Sequence, residues 1–449
     1  MHVAANYSEN FWHPMVHPNV VKQRAAIHIV SGDGVYVKDD RGETLLDAVA
    51  GLWCVNVGHN RVEVKNAIKQ QLDELEYFQL FDGVSHPRAV ELAELILDIA
   101  RDEDMARVFY SSGGSDANET ALKIARQFHR LNGEPERSKF ISLKQGYHGT
   151  HFGTAAINGN NVFRRNYEPL MGGCYHLDSP WLYRNPWTDD PEELGRLCAE
   201  QLEREIEFQM PDTVAAFIAE PVQGAGGVIV PPANYWPLVR EVCDRYGVLL
   251  IADEVVTGFG RSGSMFGSRG WGVKPDIMAL AKGLSSGYIP LGATVVNQRI
   301  EAAFDKNADF GGAIMHGYTY SGHPIGCAAA IAALNIVRDE NLPENAKVQG
   351  QYLLERLKPM IDRHPSVGDV RGKGLMIALD LVVDKETREP IDPAGEFAND
   401  VAAVARREGV LVRPVGTKII LSPPLIFSQE HCDKVVDALS IAFAEVDRG

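Results

Sequence analysis

The 449-residue sequence predicts an α/β fold with a mainly parallel sheet in a large domain and a smaller α+β domain. The length exceeds the ~250–300 residues at which one hydrophobic core stops growing, so we expect two lobes. Five short apolar runs each stop at a polar or glycine-rich element, as buried parallel strands do at a ligand-binding sheet edge. These runs are 107–110, 140–143, 214–219, 248–252 and 277–281. They predict a large lobe at about 61–325 with one ligand site along its sheet edge.

The composition argues against several classes of partner. Lys and Arg number 44 against 60 Asp and Glu, and the resulting net charge of −16 disfavours nucleic acid or an anionic membrane as the main partner. Six cysteines are scattered without a CxxC pair, which favours reduced thiols, and zinc-type ligand spacing is absent, so we expect no metal site. The first residues, MHVAANYSENFWHP, have neither a basic start nor an apolar signal segment. We therefore expect a cytoplasmic protein without a membrane anchor.

The first elements are a hairpin and two helices. Strand-like residues 34–37 and 44–46 flank a turn at 39–42, which predicts the hairpin. Trp53 follows in AGLWCVNVGHN, where its large area is more often used for packing than for ligand contact. Apolar residues at helical spacing then predict one helix over 64–75 and a second from 87 to about 99.

A glycine turn after the first buried strand is a candidate anion site. The turn SSGGSD at 111–116 separates strand 107–110 from a helix with a regular apolar face. Backbone N–H groups at Gly114 and Ser115, the Ser115 hydroxyl and the helix dipole can all face a phosphate. The alternative is an ordinary N-cap made by Ser115 or Asp116.

The next two strands also end at polar residues. Strand 140–143 runs into QGYHG at 145–149, where Tyr147 is placed either to stack on a flat ring or to pack with its hydroxyl satisfied. Residues 158–212 predict a long excursion over the site, including a helix near its end. Strand 214–219 then ends at Glu220.

The last two buried runs end at Asp253 and Lys282, and the functional prediction depends on this pair. A desolvated lysine is more easily neutral, and a neutral amine attacks a carbonyl. Pyridoxal phosphate needs a lysine, an acidic partner for its ring nitrogen and a phosphate cradle, and the sequence offers all three. We predict that Lys282 holds the cofactor aldehyde as a Schiff base and that Asp253 faces the ring nitrogen. Taken singly, a turn cap for Asp253 and an exposed position for Lys282 are the alternatives.

The segment GFGRSG at 258–263 matches the GxGxxG dinucleotide fingerprint but lacks its context. It does not directly follow a strand, and residues 264–272 carry three more glycines and no helical apolar repeat. We therefore expect no dinucleotide site there.

The C-terminal part predicts a second, smaller lobe. The turn at 315–326, MHGYTYSGHPIG, contains Thr319, which is suited either to a phosphate or to its own backbone. A helix from 327, strands at 374–379 and 410–414 and a closing helix from 429 follow. Arg413 ends an apolar strand, placed either for bidentate recognition of a carboxylate or for an exposed ion pair.

Six motifs follow one another through the chain. They are GSDANE at 114–119, YHG at 147–149, EPVQG at 220–224, LIADEV at 250–255, AKG at 281–283 and GYTYSG at 317–322. In order and spacing they resemble the class III pyridoxal-phosphate aminotransferases. The resemblance implies fold type I, with a large cofactor-binding domain (61–325) and a small domain built from both chain ends (1–60 and 326–449). It also implies a homodimer or a dimer of dimers with shared active sites.

The resemblance assigns the residues around the cofactor ring. Lys282 matches the Schiff-base lysine, and Asp253 matches the partner of the pyridine nitrogen. Val255 and Tyr147 match the residues that cover the two faces of the ring.

The resemblance also assigns the phosphate contacts. Gly114 and Ser115 match the phosphate turn, and Thr319 matches the ligand that the neighbouring subunit lends. Glu220 opens the EPVQG motif and belongs to the same cofactor-binding set. Many relatives have a serine where this chain has Gly113.

The subfamily depends on an arginine. Ornithine, acetylornithine and 4-aminobutyrate aminotransferases have one at the position that matches Ile420, so that arginine is missing here. Arg413 instead matches the movable arginine of the ω-amino acid:pyruvate aminotransferases, and Trp53 and Tyr147 resemble their pocket wall. The resemblance implies transfer of an amino group from an ω-amino acid or amine such as β-alanine to pyruvate, giving an aldehyde or ketone and L-alanine. Diaminopelargonate and taurine:pyruvate aminotransferases, and a decarboxylase or racemase on the same fold, are the alternatives.

Overall fold

The computed structural model describes residues 11–23, 27–307, 310–392 and 394–448. Its strands are β1 (Ile29–Asp33), β2 (Tyr36–Asp39), β3 (Thr44–Asp47), β4 (Met105–Ser111), β5 (Lys139–Leu143), β6 (Cys174–Leu177), β7 (Val214–Ala219), β8 (Leu249–Asp253), β9 (Ile277–Leu280), β10 (Gly292–Asn297), β11 (Val367–Lys373), β12 (Met376–Asp384), β13 (Glu389–Pro390), β14 (Val410–Leu411), β15 (Arg413–Val415) and β16 (Lys418–Leu421). Its α-helices are α1 (Pro18–Gln23), α2 (Ala50–Trp53), α3 (Val62–Glu74), α4 (Pro87–Ile99), α5 (Gly114–Leu131), α6 (Phe152–Ala156), α7 (Pro191–Phe208), α8 (Tyr235–Tyr246), α9 (Gln298–Lys306), α10 (Pro324–Asp339), α11 (Leu342–Leu357), α12 (Met360–Arg363), α13 (Glu396–Arg407) and α14 (Gln429–Val446).

Within the described residues, the central sheet has seven strands in the order β4-β10-β9-β8-β7-β5-β6. The neighbours from β9 to β6 pair in parallel, whereas β10 is antiparallel to both β9 and β4. β4 therefore runs in the same direction as the parallel strands. The predicted mainly parallel sheet is confirmed, and the carboxyl ends of the five predicted strands meet at one sheet edge.

Helices cover both faces of this sheet because its central strands are apolar on both sides. Along β7 every residue is buried, and successive side chains face opposite layers. Phe217 packs in the core beneath α7 and α8, whereas Ile218 packs in the core beneath α5. Continuous apolar runs therefore become inner strands here, with polar chemistry confined to their ends.

Three details differ from the pattern expected from the sequence. β10 has no counterpart among the predicted strands, and β6 forms the sheet edge inside the region read as an excursion. The predicted strand 410–414 is split at Val412: β14 pairs in parallel with β3, and β15 pairs with β16 in another sheet. Pro414, which lacks an N–H donor, lies on the edge strand of that second sheet. The split places Arg413 where the chain crosses between the two sheets.

The two chain ends share one hydrophobic core. Val35, just before β2, and Leu46 on β3 belong to a cluster that also contains Leu379 and Phe443. In the described part of the chain, one small sheet has the order β1-β2-β3-β14, and another has the order β11-β12-β16-β15 with β13 beside β12. The exact domain limits of 61–325 against 1–60 and 326–449 stay a prediction.

The GFGRSG segment at 258–263 forms turns that pack the central sheet against the C-terminal part. Gly260 and Gly263 have φ of +99° and +84°, a region that glycine adopts without strain. Arg261 is fully buried and donates to the carbonyls of Leu375 and Pro423. Burial lowers its pKa to about 9. The segment therefore has a structural role between the central sheet and the C-terminal part.

Among the described residues, the structure contains no helix that is long and apolar enough to cross a membrane.

Candidate active site

The candidate active site is a cavity of about 460 Å³ at the carboxyl edge of the central sheet. The loops after β4, β5, β7, β8 and β9 contribute to its wall, together with residues from both chain ends. Of the residues singled out from the sequence, it is lined by Trp53, Gly114, Ser115, Tyr147, Glu220, Asp253, Val255, Lys282 and Arg413. Tertiary structure thus brings together side chains that lie more than 350 positions apart in the sequence.

The glycine turn opens the start of α5 to the cavity. Gly113 is the N-cap residue, and it has an extended backbone and no side-chain capping hydrogen bond. A Cβ atom on Gly113 would meet nothing within 4 Å, whereas one on Gly114 would lie 2.9 Å from Cγ1 of Val255. The side chain of Asp116 accepts from the N–H of Ser112 at 3.0 Å and does not cap the helix. The expected anion site therefore has open space and an uncapped helix start, which favours a bound anion.

Asp253 ends β8 and is only 2% exposed. Its Oδ2 atom accepts from Nδ2 of Asn118 at 2.7 Å and from Nδ1 of His148 at 2.8 Å. Its Oδ1 atom accepts from the N–H of Val255 at 3.1 Å. These three donors hold the buried carboxylate in one orientation, as a partner for a ring nitrogen requires.

Asn118 and His148 hold the Asp253 carboxylate, and the sequence interpretation did not assign them to the site. Asn118 lies four residues after Gly114 on α5, so both face the same side of the helix. That spacing was the available signal for Asn118. His148 follows Tyr147 in a glycine-rich loop, and its alignment with Asp253 arises only when β5 and β8 join the same sheet.

Lys282 lies directly after β9 and Ala281, half-buried and facing the cavity. It has φ of +45°, a conformation that is uncommon for residues other than glycine and that clusters at functional sites. Among the described residues no carboxylate forms an ion pair with it. The alternative of a surface lysine therefore does not describe this side chain.

Glu220 and Tyr147 form a second buried unit. The Glu220 side chain is enclosed and accepts from the N–H groups of Tyr147 at 3.0 Å and Gly224 at 2.7 Å. Burial raises the pKa of Glu220 to about 7, against an opposing effect of nearby His148. The Tyr147 ring meets Phe163 edge-on, with centroids 4.9 Å apart, and burial raises the pKa of its hydroxyl. Glu220 therefore fixes the backbone of Tyr147, and Phe163 packs against its ring.

The opposite wall combines aromatic and apolar surface with one arginine. Trp53 is 6% exposed and packs with Met376 and Ile420 while also lining the cavity, so it serves both packing and the pocket wall. Arg413 is half-buried, and desolvation lowers its pKa. It forms no ion pair with any carboxylate of the described residues. Other wall residues are Met15, Leu52, Cys54, Ala225 and Phe163.

Thr319 lies outside this cavity. The residue is exposed, and its carbonyl accepts from the Tyr77 hydroxyl at 2.7 Å. Its position is compatible with the expected role at a neighbouring subunit's site, which stays a prediction.

The chemistry of the cavity fits pyridoxal phosphate. An amine, a fixed carboxylate and an uncapped helix start surround one space, and the missing Cβ at Gly113 leaves room beside that helix start. Val255 and Tyr147 border the same space. These are the groups that the aldehyde, ring nitrogen, phosphate and ring faces of the cofactor require.

Comparison with known proteins agrees with this geometry. The profile of the family aminotransferase class-III matches residues 18–443. Putrescine–pyruvate aminotransferase of Pseudomonas aeruginosa is 41% identical over 93% of this chain and 90% of its own length. Diaminobutyrate–2-oxoglutarate transaminase of Halomonas elongata is 41% identical over 91% and 88%. The crystal structure of a PLP-bound amine transaminase from an uncultivated Pseudomonas species superposes with a TM-score of 0.96 at 58% identity, covering 98% of this chain and 99% of that one. The chain therefore belongs to the class III aminotransferases, which are fold type I enzymes that depend on pyridoxal phosphate.

Proposed function

We propose that the enzyme moves an amino group from an ω-amino acid or simple amine to pyruvate, releasing an aldehyde or ketone and L-alanine. The observation that carries this proposal is Arg413, a half-buried cation without a carboxylate partner among the described residues, in the same cavity as Lys282. A buried cation is costly unless paired, so the site is suited to a substrate carboxylate. The similarity to a putrescine–pyruvate aminotransferase and to an amine transaminase supports both the acceptor and the donor class.

Each residue around the ring has a role in this proposal. Bound pyridoxal phosphate supplies an aldehyde and a ring that takes up the electron pair left at the substrate carbon. Lys282 holds the aldehyde covalently, and Asp253 keeps the ring nitrogen protonated. Val255 and Tyr147 cover the ring faces.

Other residues hold the phosphate. The N–H groups of Gly114 and Ser115 and the Ser115 hydroxyl form the cradle, supported by the dipole of α5. Thr319 of a second copy completes it in the proposed homodimer. Glu220 fixes the backbone of Tyr147 through its accepted hydrogen bond.

Lys282 also moves the proton. With an amine substrate in its place on the cofactor, the free amine of Lys282 would take the proton from the substrate carbon as general base and deliver it as general acid to the cofactor carbon that carried the aldehyde. Trp53, Tyr147 and Phe163 line the same cavity as this amine.

Arg413 serves the second half of the reaction. Its guanidinium binds the pyruvate carboxylate, and it swings aside for amines that lack an α-carboxylate. Ile420 lies buried against Trp53, so a second cation is missing from the position where 4-aminobutyrate and ornithine aminotransferases have one. Diaminopelargonate and taurine:pyruvate aminotransferase remain the alternative donor specificities. A cytoplasmic location also stays a prediction.

The direct test supplies β-alanine, taurine, putrescine and 1-phenylethylamine, each with pyruvate. We expect L-alanine to form in equal amount to the carbonyl product. Release of carbon dioxide or racemisation without alanine formation would instead indicate a decarboxylase or racemase.

Replacing Arg413 with Ala tests its role. Loss of a charged hydrogen-bond partner costs about 1.5–3 kcal/mol, so we expect kcat/KM for pyruvate to fall by roughly 10- to 150-fold. In a ping-pong scheme kcat/KM for a simple amine reports the other half-reaction and should change much less. The exposed Arg41 provides the control, since Arg41→Ala should leave both values unchanged. Unchanged pyruvate kinetics in Arg413→Ala would remove Arg413 from the acceptor site.

A further inference from the structure

The segment that carries Thr319 is tied to the helix that forms the phosphate cradle. We define the 313–319 loop as the residues from Ala313 to Thr319. Nε2 of Gln127 on α5 donates to the carbonyls of Gly311 and Ala313, at 3.0 and 2.9 Å, where the loop begins. The loop ends at Thr319, which Tyr77 holds through the Thr319 carbonyl.

His316 is the central contact between this loop and α5. Lys123 donates from Nζ to Nδ1 of His316 at 3.2 Å, and Nε2–H of His316 donates to Oγ1 of Thr120 at 2.9 Å. Thr120 in turn donates to the carbonyl of Asp116 at 2.8 Å, in the first turn of the helix. His316 can accept from Lys123 and donate to Thr120 at the same time only when its imidazole is neutral. Burial, together with the nearby charge of Lys123, lowers the pKa of His316 and so favours this neutral form.

Two rings fix the orientation of His316. The imidazole stacks on Phe109 of β4, with centroids 5.5 Å apart and planes 10° apart. On the other side Tyr318 meets it edge-on at 5.0 Å, and the Tyr318 hydroxyl also donates to the Asp116 carbonyl, at 3.4 Å. The side chains on both sides of Gly317 are therefore attached to the first turns of α5.

One helix thus serves two tasks. Gly114 and Ser115 at its start form the cradle of this chain's own cavity. Thr120, about 9 Å further along the helix axis at 1.5 Å per residue, holds the loop that ends at Thr319, which is exposed and does not line that cavity.

From this arrangement we propose that His316 is a positioning residue: it fixes where Thr319 lies relative to the phosphate site of a second copy of the chain. The inference rests on the proposed function, in which Thr319 acts across a homodimer. His316 touches neither cofactor nor substrate, so its effect should appear in cofactor retention at the partner's site.

The first experiment compares three variants as purified holoenzymes. His316→Phe keeps the stack on Phe109 and removes both hydrogen bonds, whereas His316→Gln keeps a donor and an acceptor. We expect roughly tenfold faster release of pyridoxal phosphate from His316→Phe, read from the loss of visible absorption, and partial recovery in His316→Gln. The control is His28→Phe, because His28 also bonds a side chain, Asp40, but lies on the surface outside the site.

The second experiment asks in which site the defect appears. Mixed dimers are purified with two affinity tags, and one chain carries Lys282→Ala so that only the other chain can hold the cofactor covalently. When His316→Phe is in the same chain as Lys282→Ala, the intact Lys282 site receives the altered loop, and fast release is expected. When His316→Phe is instead in the chain with intact Lys282, that site receives an unaltered loop, and wild-type release is expected. Borohydride reduction and peptide mass analysis count the cofactor on each tagged chain.

Several results would overturn the inference. Equal, wild-type release in both mixed dimers would show that His316 does not position Thr319. Fast release only when His316→Phe shares a chain with intact Lys282 would place the loop at its own chain's site, and a monomeric protein would exclude the arrangement. None of these results affects alanine formation from amine and pyruvate by the unaltered enzyme, so failure of the proposed function is recognised separately.

Discussion

At the scale of single residues, Lys282 combines exposure to the cavity with a strained backbone. Lys282 follows the fully buried strand β9 and has φ of +45°, so the surrounding sheet must hold the residue in this conformation. Such strain is retained where the direction of a side chain matters more than local stability. Lys282 lines the same cavity as Asp253 and the start of α5.

Lys282→Ala tests this residue directly. We expect loss of the visible absorption of the lysine-bound cofactor and a decrease in turnover of at least about 10²–10⁴-fold, the range of general acid–base catalysis. The exposed Lys38 on β2 supplies the matched control, and Lys38→Ala should keep both signals. If the purified Lys282→Ala protein remained yellow and active, the assignment of Lys282 would be disproved.

Glu220 predicts a pH dependence of stability. Burial raises its folded-state pKa to about 7 from an ordinary value of 4.5, so the folded protein binds more protons than the unfolded chain between these pH values. The contribution of Glu220 to the free energy of unfolding therefore decreases as pH rises through this window, by at most about 1.4 kcal/mol per pH unit. Glu220→Gln should remove this slope.

Urea unfolding at pH 5 and pH 7.5 checks the prediction. The difference between wild type and Glu220→Gln should change with pH, and Glu430→Gln, on an exposed turn of α14, should follow the wild type. A parallel pH response in all three proteins would mean that Glu220 stays charged in the fold.

At the scale of elements, α5 links the cradle with the packing behind it. Its start has no side-chain cap, and the glycine turn lets the backbone at Gly114 approach Val255 closely. Sequence pattern was sufficient to place this helix, since its apolar face repeats regularly and the turn before it is rich in glycine. The hydrogen bonds of Asn118 and His148 with Asp253 could not be predicted from the same pattern.

Two adjacent glycines give a matched pair of substitutions. Gly114→Ala places a Cβ 2.9 Å from Val255, and such overpacking costs about 1–3 kcal/mol. We expect faster cofactor release and a lower melting temperature. Gly113→Ser adds a side chain in open space on an extended backbone, so retention should be equal or better. The measurements are the cofactor release rate and the melting temperature of each variant. Equal values for Gly114→Ala and Gly113→Ser would contradict the close packing at Gly114.

At the scale of the whole molecule, a buried ion cluster joins the C-terminal sheet to the central part. Asp380 on β12 is fully buried and accepts from Nε of Arg184 at 3.1 Å and Nη2 of Arg371 at 2.9 Å. Arg184 lies between β6 and α7, whereas Arg371 lies on β11. The same C-terminal sheet carries Arg413 on β15. Asp380 and Arg371 therefore lie in the same sheet as Arg413, the residue that we propose binds pyruvate.

Asp380→Ala should be strongly destabilising. Removing one partner leaves two largely buried arginines without their shared carboxylate, and breaking such a pair costs about 3–5 kcal/mol. Asp369→Ala is the control, because Asp369 is more exposed and pairs with Arg371 alone. Urea unfolding should separate the variants, and kcat/KM for pyruvate should fall more in Asp380→Ala. Similar free energies of unfolding for both would mean that the cluster does not hold the molecule together.

The amino-acid sequence alone was sufficient to predict the features that arise from residues close together in the chain. Buried strands appear as continuous apolar runs, the anion turn as glycines between a strand and an apolar helix face, and the family as six motifs in order. Lys282 and Asp253 could be predicted because each directly follows such a run.

Tertiary structure alone decided which distant groups meet. Asn118 and His148 lie 135 and 105 residues from Asp253. Helical spacing places Asn118 on the same side of α5 as Gly114, but it does not show that either residue bonds to Asp253. Packing between remote segments likewise decides the break of strand 410–414 between two sheets and the attachment of His316 to α5. It also decides that Arg413 has no carboxylate partner in the part of the chain that the structure describes. Local pattern records the period of a helix or strand, whereas pairing across a fold is set by the energy of the assembled core, to which all segments contribute together.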